Sequence, residues 1–307
     1  MLGRFSIFLA ALLPLTNCDR AFSGDQDGYA KAAASVVRIN AAVAGRGSSH
    51  GSGVVLPAGR VVTNCHVTRG AQSTAVIDGP QLLLAEPNDS DVAADLCVLA
   101  TGSLTALPAQ LGSSRSLRVG DEVVAIGFSG GVRKSLSRGL ITALLPYPVA
   151  YVVLTSAAFS PGASGGGLFD RNARLVGIIT FFRRGADGVS FFAIPADWIG
   201  TLPYSTASAD PDTIPFWMRK HDDQPPFLKV ATFEADRDWQ GMARAARAWV
   251  KDEPGAVLAW EALVDALRKK GEPVESAVSP TEALAVPVSV IPARERHGRL
   301  PLSPATH

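Results

Sequence analysis

The sequence has almost no net charge: 29 Lys and Arg offset 28 Asp and Glu, leaving a formal +1 at pH 7. That balance gives no electrostatic reason to expect nucleic acid or an anionic surface as partner. Charged residues are scarce, at 19%, against 47% hydrophobic. A chain disordered throughout is excluded, and there is material for a sizeable core. Long hydrophobic runs are also missing. The apolar stretch from Phe5 to Leu15 is too short to span a bilayer as an ordinary helix. Placed after Arg4, it fits the apolar core of an export signal, and an uncleaved anchor is the other reading. Two ends of that signal stay open. Ala21-Phe22-Ser23 resembles a small-x-small cleavage site, which gives a signal over 1–23. Leu15-Thr16-Asn17-Cys18 resembles a bacterial lipoprotein box that would lipidate Cys18 and so anchor a cleaved chain to a membrane, although Asn17 stands where a small residue is usual.

Cysteine is rare too, with three residues: Cys18, Cys65 and Cys97. Export leads to a secreted or periplasmic, oxidising location. There Cys18 is consumed by lipid or lost with the signal, which leaves Cys65 and Cys97. No zinc spacing, P-loop or dinucleotide fingerprint occurs, so neither a metal nor a cofactor is expected.

From Ala34 to about Pro195, short β-like runs are broken by Gly, Pro, Ser and Asn. They include Ser35–Ile39, Gly53–Leu56, Arg60–Thr63, Glu122–Ile126, Gly139–Leu144, Tyr151–Leu154 and Leu175–Ile179. This pattern predicts a mainly β chain, an all-β barrel or sandwich over 30–200, with no parallel βαβ rhythm. Residues 201–228 are rich in Pro, Ser, Thr and Asp and read as a linker. Over 229–275, Trp239, Met242, Ala243, Ala246, Trp249 and Val250 recur at helical spacing. Pro254-Gly255 interrupts the run, and Val257, Trp260, Leu263, Val264 and Leu267 follow, with a stop near Gly271. Two amphipathic helices joined by a short turn make a helical hairpin. Residues 276–307 read as a poorly ordered tail.

Three residues carry candidate chemistry. Ser164 lies in Pro161-Gly162-Ala163-Ser164-Gly165-Gly166-Gly167, a run that reads on its own equally well as a glycine-rich turn. A serine hydroxyl is a poor nucleophile without a base and an orienting acid. His66 follows a strand in Val61-Val62-Thr63-Asn64-Cys65-His66-Val67. Asp95 opens an apolar strand in Asp95-Leu96-Cys97-Val98-Leu99, where burial is costly unless the carboxylate is paired. Gly162-Ala163-Ser164-Gly165-Gly166 also matches the G-x-S-x-G of esterases literally. Those enzymes place the acid and His after the serine, whereas here the order is His, Asp, Ser, and His221, His297 and His307 lie in the linker and tail.

With Gly51-Ser52-Gly53-Val54-Val55, Val119-Gly120-Asp121-Glu122-Val123-Val124-Ala125-Ile126-Gly127 and Phe192-Ala193-Ile194-Pro195 in the same order, residues 34–200 resemble a trypsin-like serine peptidase of the bacterial HtrA/Deg-type branch. The resemblance implies two antiparallel six-stranded β-barrels with the site between them. It casts His66, Asp95 and Ser164 as a catalytic triad, with the backbone N–H groups of Gly162 and Ser164 as the oxyanion hole. Protein or peptide substrates would be cut through an acyl-enzyme. Ala158, six residues before Ser164, would floor the primary pocket and offers no charge to Lys or Arg. Thr180-Phe181-Phe182 would bind substrate backbone, and Phe182 would narrow the pocket to Val-, Ala- or Thr-sized side chains; alternatively, Phe181 and Phe182 only pack the second barrel. Bringing His66 to Asp95 would also bring Cys65 to Cys97, which implies a disulfide rather than two buried thiols.

Two departures matter. Ala163 replaces the usual Asp or Asn before the serine, which removes the zymogen-type anchor and one support of the oxyanion loop. No PDZ domain is expected in residues 201–307, although HtrA/Deg-type proteins commonly carry one after the barrels. The hairpin loosely resembles one tetratricopeptide-type repeat, which needs a neighbour to cover its apolar face and so points to a protein partner or a structural appendage. The competing functional reading is a catalytically weak trypsin-like binding module acting through the cleft and the hairpin.

Overall fold

The computed structural model describes residues 26–273, apart from 44, 46, 148, 186–187 and 205–211. The signal and its candidate ends, Cys18 and the 276–307 tail therefore lie outside the described residues.

Twelve strands form two closed antiparallel barrels. The first contains β1 (Val36–Val43), β2 (Gly47–Leu56), β3 (Arg60–Thr63), β4 (Ala71–Asp78), β5 (Gln81–Asp91) and β6 (Leu96–Ala100), in the order β1-β2-β3-β6-β5-β4. The second contains β7 (Glu122–Ser129), β8 (Arg133–Tyr147), β9 (Ala150–Thr155), β10 (Gly167–Asp170), β11 (Leu175–Gly185) and β12 (Gly188–Pro195), in the order β10-β11-β12-β9-β8-β7. The β-branched runs set which side chains point inward. Val37, Ile39, Val55, Val61, Val76 and Leu99 fill the first barrel, and Val123, Ile141, Val153, Leu168, Val176 and Ile179 the second. Closure pairs every strand on both sides, so neither barrel exposes an open sheet edge.

The segment between the barrels is tied to the second by Asp197, whose carboxylate accepts from the Ser114 N–H at 2.7 Å, the Ser114 hydroxyl at 2.8 Å and the Ser113 hydroxyl. Burial alone would raise the Asp197 pKa, but these hydrogen bonds override it and hold the carboxyl below its usual value.

Helix α1 (Gln26–Ala34) precedes the first barrel and buries Tyr29 and Ala32, and the one-turn α2 (Cys65–Thr68) follows β3. Thr63 of β3 lies opposite Cys97 of β6. The chain then turns into α2, and Cys65 meets Cys97 in a disulfide with a Cα–Cα distance of 4.9 Å and a sequence separation of 32. It staples the element carrying His66 to the strand that follows Asp95. Removing it in a Cys65→Ser/Cys97→Ser variant is expected to cost about 3–4 kcal/mol by the loop-entropy argument. Urea denaturation would show this as a lowered midpoint, and an unchanged midpoint would contradict it.

The stretch read as a linker departs from that reading. Its described part after the second barrel is packed: Phe216 is 1% exposed, Phe227 and Leu228 are buried, and Leu228 already belongs to a further helix, α3 (Pro226–Ala235). Pro and Asp counts pointed to a loop, but burial of the aromatic residues offsets the cost of ordering it. The periodic runs form α4 (Trp239–Asp252), capped by the Asp238 side chain on the Gly241 N–H, and α5 (Val257–Lys270), closed by Gly271 at φ 73°. These two helices pack on each other and on α3, which lies against β11. Phe169, Phe192, Phe216, Phe227, Trp249 and Trp260 belong to one continuous core shared by barrel and helices.

Candidate active site

Asp95 closes a tight turn at the start of β6. Its N–H donates to the Val92 carbonyl at 3.1 Å and its φ is 60°. A left-handed conformation is uncommon for a residue with a side chain, and Asp tolerates it better than most. The turn aims a fully buried carboxylate at α2. Asp95 Oδ1 accepts from the His66 backbone N–H at 2.9 Å, and Oδ2 accepts from His66 Nδ1–H at 2.7 Å. The side chain of Asp95 is 0% exposed and that of His66 25%. One carboxylate thus fixes both the backbone and the ring of His66, and with the proton on Nδ1 leaves Nε2 as the nitrogen able to accept one. Asn64 braces the turn by donating to the Asp95 carbonyl at 2.9 Å and to the Thr180 hydroxyl at 3.1 Å.

Ser164 approaches from the second barrel. Its hydroxyl donates to the Thr180 carbonyl at 2.9 Å. Among the described residues no hydrogen bond joins it to the His66 imidazole, so engagement with His66 has to exchange the bond to Thr180 for one to the ring.

The loop around Ser164 is tied down by backbone hydrogen bonds. The Pro161 carbonyl accepts from the Gly130 N–H at 2.8 Å, the Ala163 N–H donates to Ser160 at 3.0 Å, and the Gly165 N–H donates to Ile179 at 2.9 Å. The N–H groups of Gly162 and Ser164 have no acceptor among the described residues. Gly162 sits at φ +91°, and a Cβ there would lie 2.4 Å from Gly131 N and 2.7 Å from Phe128 O, so only glycine fits.

This loop is also held from the other barrel. Ser52 is fully buried; its hydroxyl donates to the Gly162 carbonyl at 2.9 Å and accepts from the Phe128 N–H at 2.8 Å. Its backbone N–H donates to the Ser164 carbonyl at 2.8 Å. Ala163 itself is buried in the second barrel's core.

The residues expected to bind substrate divide. Ala158 is exposed, and its neighbour Phe159 lies 5.1 Å from Phe191. Phe182, 6.0 Å from Phe191, joins that aromatic group. Phe181 is 5% exposed and stacks between Phe192, at 4.4 Å, and Trp217, at 4.6 Å, so it packs rather than faces solvent.

Sequence reasoning missed Trp217. It comes from the supposed linker, yet its indole Nε1–H donates to Asp95 Oδ2 at 3.0 Å. Its ring meets His66 edge-on at 5.6 Å and 80°. The adjacent pair Phe216-Trp217 was the available signal, since two large aromatic residues in a solvated linker leave apolar surface in water.

Residues 51–178 match the family described as a trypsin-like peptidase domain. The chain is 37% identical over 179 residues to the magnetosome formation protease MamE of Paramagnetospirillum magneticum, covering 51% of this chain and 25% of that protein. It is 37% identical over 158 residues to a probable periplasmic serine endoprotease DegP-like of Halomonas elongata, covering 48% and 33%. Among solved structures, the HtrA-type protease AlgW with a tripeptide superposes with a TM-score of 0.51 and 32% identity, over 56% of this chain and 59% of that one. The chain therefore spans a quarter to a third of the length of these two curated relatives.

Proposed function

We propose, from the match of residues 51–178 to the trypsin-like peptidase domain, that the protein is an exported serine endopeptidase of secreted or periplasmic location, cutting proteins or peptides after small apolar residues. The observation that carries this reading is the buried Asp95 carboxylate holding both N–H groups of His66 across the cleft from Ser164.

In the proposed reaction, Ser164 Oγ turns from Thr180 and attacks the scissile carbonyl carbon while His66 Nε2 takes its proton. The carbonyl oxygen becomes an oxyanion bound by the Gly162 and Ser164 N–H groups, a type of contact worth about 3–4 kcal/mol per donor. Collapse of this intermediate breaks the C–N bond, and the proton moves from Nε2 to the departing amine. Water then enters, gives its proton to Nε2 and attacks the acyl ester. Collapse returns that proton to Ser164 and frees the carboxyl product. Asp95 keeps the imidazole in the Nδ1–H tautomer and stabilises the imidazolium.

Ala158 at the pocket floor carries no charge, and Phe182 narrows the pocket mouth. A peptide series varied at the residue before the cut (P1) should show Ala, Val and Thr preferred over Lys and Arg. In Phe182→Gly, kcat/KM for Leu at P1 should rise about tenfold, the usual scale for a few methylenes in an apolar pocket. A wild-type preference for Lys or Arg would overturn the specificity reading. The second reading, a weak binding module, draws on the Ser164 hydroxyl being bound to Thr180 rather than His66. It requires that Ser164 never react.

A further inference from the structure

Trp217 lies outside both barrels, but its environment is that of a site residue. The segment carrying it bridges the cleft. On the first-barrel side the Phe216 N–H donates to the Ala93 carbonyl at 2.9 Å, and Arg69 Nη2 donates to the Thr213 carbonyl at 2.9 Å. On the second-barrel side Arg183 Nη2 reaches the Trp217 carbonyl at 3.4 Å and Gln224 Oε1 at 3.3 Å, and Arg183 also donates to the Thr232 hydroxyl. Burial lowers the Arg183 pKa and the Asp236 carboxylate opposes that shift; a guanidinium stays charged regardless and holds all three acceptors.

Between these anchors, the indole lies flat on Phe181 at 4.6 Å and 5° and edge-on to His66, with its N–H on Asp95 Oδ2. Asp95 therefore has three donors converging on two oxygens. The Thr180 hydroxyl is engaged elsewhere: it donates to the Ile178 carbonyl at 2.8 Å and accepts from Asn64. Trp217 is the additional side-chain donor that reaches this carboxylate among the described residues.

Its place also bears on substrate. An extended peptide lying along Thr180–Phe182 alternates its side chains between two faces. If the residue before the cut points to Ala158, the one preceding it (P2) points the other way, towards His66 and the indole that covers Phe181.

Resting on the endopeptidase reading above, we propose that Trp217 is a positioning residue that orients Asp95 and His66, and the wall that restricts P2 to Gly- or Ala-sized side chains. Trp217→Phe keeps a ring on Phe181 and removes the N–H; Trp217→Ala removes both. The test measures kcat and KM on peptides with Gly, Ala, Val or Leu at P2, together with the pH profile of kcat/KM.

Trp217→Phe should lower kcat about tenfold, as for loss of one hydrogen bond to a buried charge, with KM within about twofold. Its pH profile of kcat/KM should differ from the wild type's, because the carboxylate that holds the imidazole has one donor fewer. Trp217→Ala should show the same kcat loss and raise the Leu-to-Ala ratio at P2 about tenfold. An unchanged kcat and pH profile in Trp217→Phe, or an unchanged P2 ratio in Trp217→Ala, overturns the proposal. A rise in kcat/KM on every peptide in Trp217→Ala also overturns it, because it identifies the segment as a plug. Should both variants misfold, the Trp217 indole N–H resonance of the wild type, shifting in Asp95→Asn, supports the contact, and its failure to move overturns it. Wild-type protein that cleaves no peptide and takes no fluorophosphonate sinks the endopeptidase reading and this proposal together. A labelled wild type beside an unaffected Trp217→Phe sinks this proposal alone.

Discussion

Ser164→Ala is expected to lower kcat on a peptide substrate by about 10⁶-fold, the scale at which removing the nucleophile of a triad leaves only oxyanion and binding contributions. KM should change little, because the hydroxyl adds no contact that the bound ground state needs. The fold should tolerate the change. The hydroxyl makes one hydrogen bond, to the Thr180 carbonyl, and losing it costs about 1 kcal/mol or less at a half-open site. Steady-state kinetics at matched active-site concentration, with a denaturation midpoint as control, checks both parts. A variant that retains a tenth of wild-type kcat would show that another group attacks.

Asp95→Asn should lower kcat by about 10⁴-fold, as when an amide in this position leaves the imidazole in the wrong tautomer. The local geometry adds a stability effect. The His66 N–H, His66 Nδ1–H and Trp217 Nε1–H all point at the two carboxylate oxygens. An amide offers one oxygen and places an NH₂ group against at least one of those donors, which leaves buried polar groups unpaired at about 1–3 kcal/mol. Kinetics should therefore show a collapsed kcat, and urea denaturation a lowered midpoint. A variant with wild-type kcat would remove Asp95 from the reaction; one with low kcat but an unshifted midpoint would mean the carboxylate does not satisfy its three donors.

The site was legible where chemistry and local pattern coincide. Asp95 is an acid opening an apolar strand, His66 follows Val61-Val62-Thr63 directly, and Ser164 stands among glycines that a tight loop requires. Each could be read from its neighbours, and the order His, Asp, Ser separated the chain from esterases. The barrels were legible through β-branched runs, but β4 and β5 were not, because Gln72, Ser73, Leu82 and Leu84 lie on exposed positions and blur the period-two pattern. What could not be read depends on contacts between distant segments. Ser52 stands in Gly51-Ser52-Gly53-Val54-Val55, but its hold on the Gly162 carbonyl spans 110 residues. Trp217 lies 122 residues from Asp95, in a stretch whose Pro and Asp content implied a linker. Neither composition nor periodicity reports a hydrogen bond that exists only once two barrels and a C-terminal segment have packed together.

The central claim is that Ser164 is a nucleophile activated by His66. Intact-mass analysis of the wild-type protein after treatment with a fluorophosphonate, followed by peptide mapping, tests it most directly. The expected result is one adduct per chain, on the peptide containing Ser164, lost in Ser164→Ala and strongly slowed in His66→Ala. No adduct on the folded wild-type protein, or an adduct on a different serine, would contradict it.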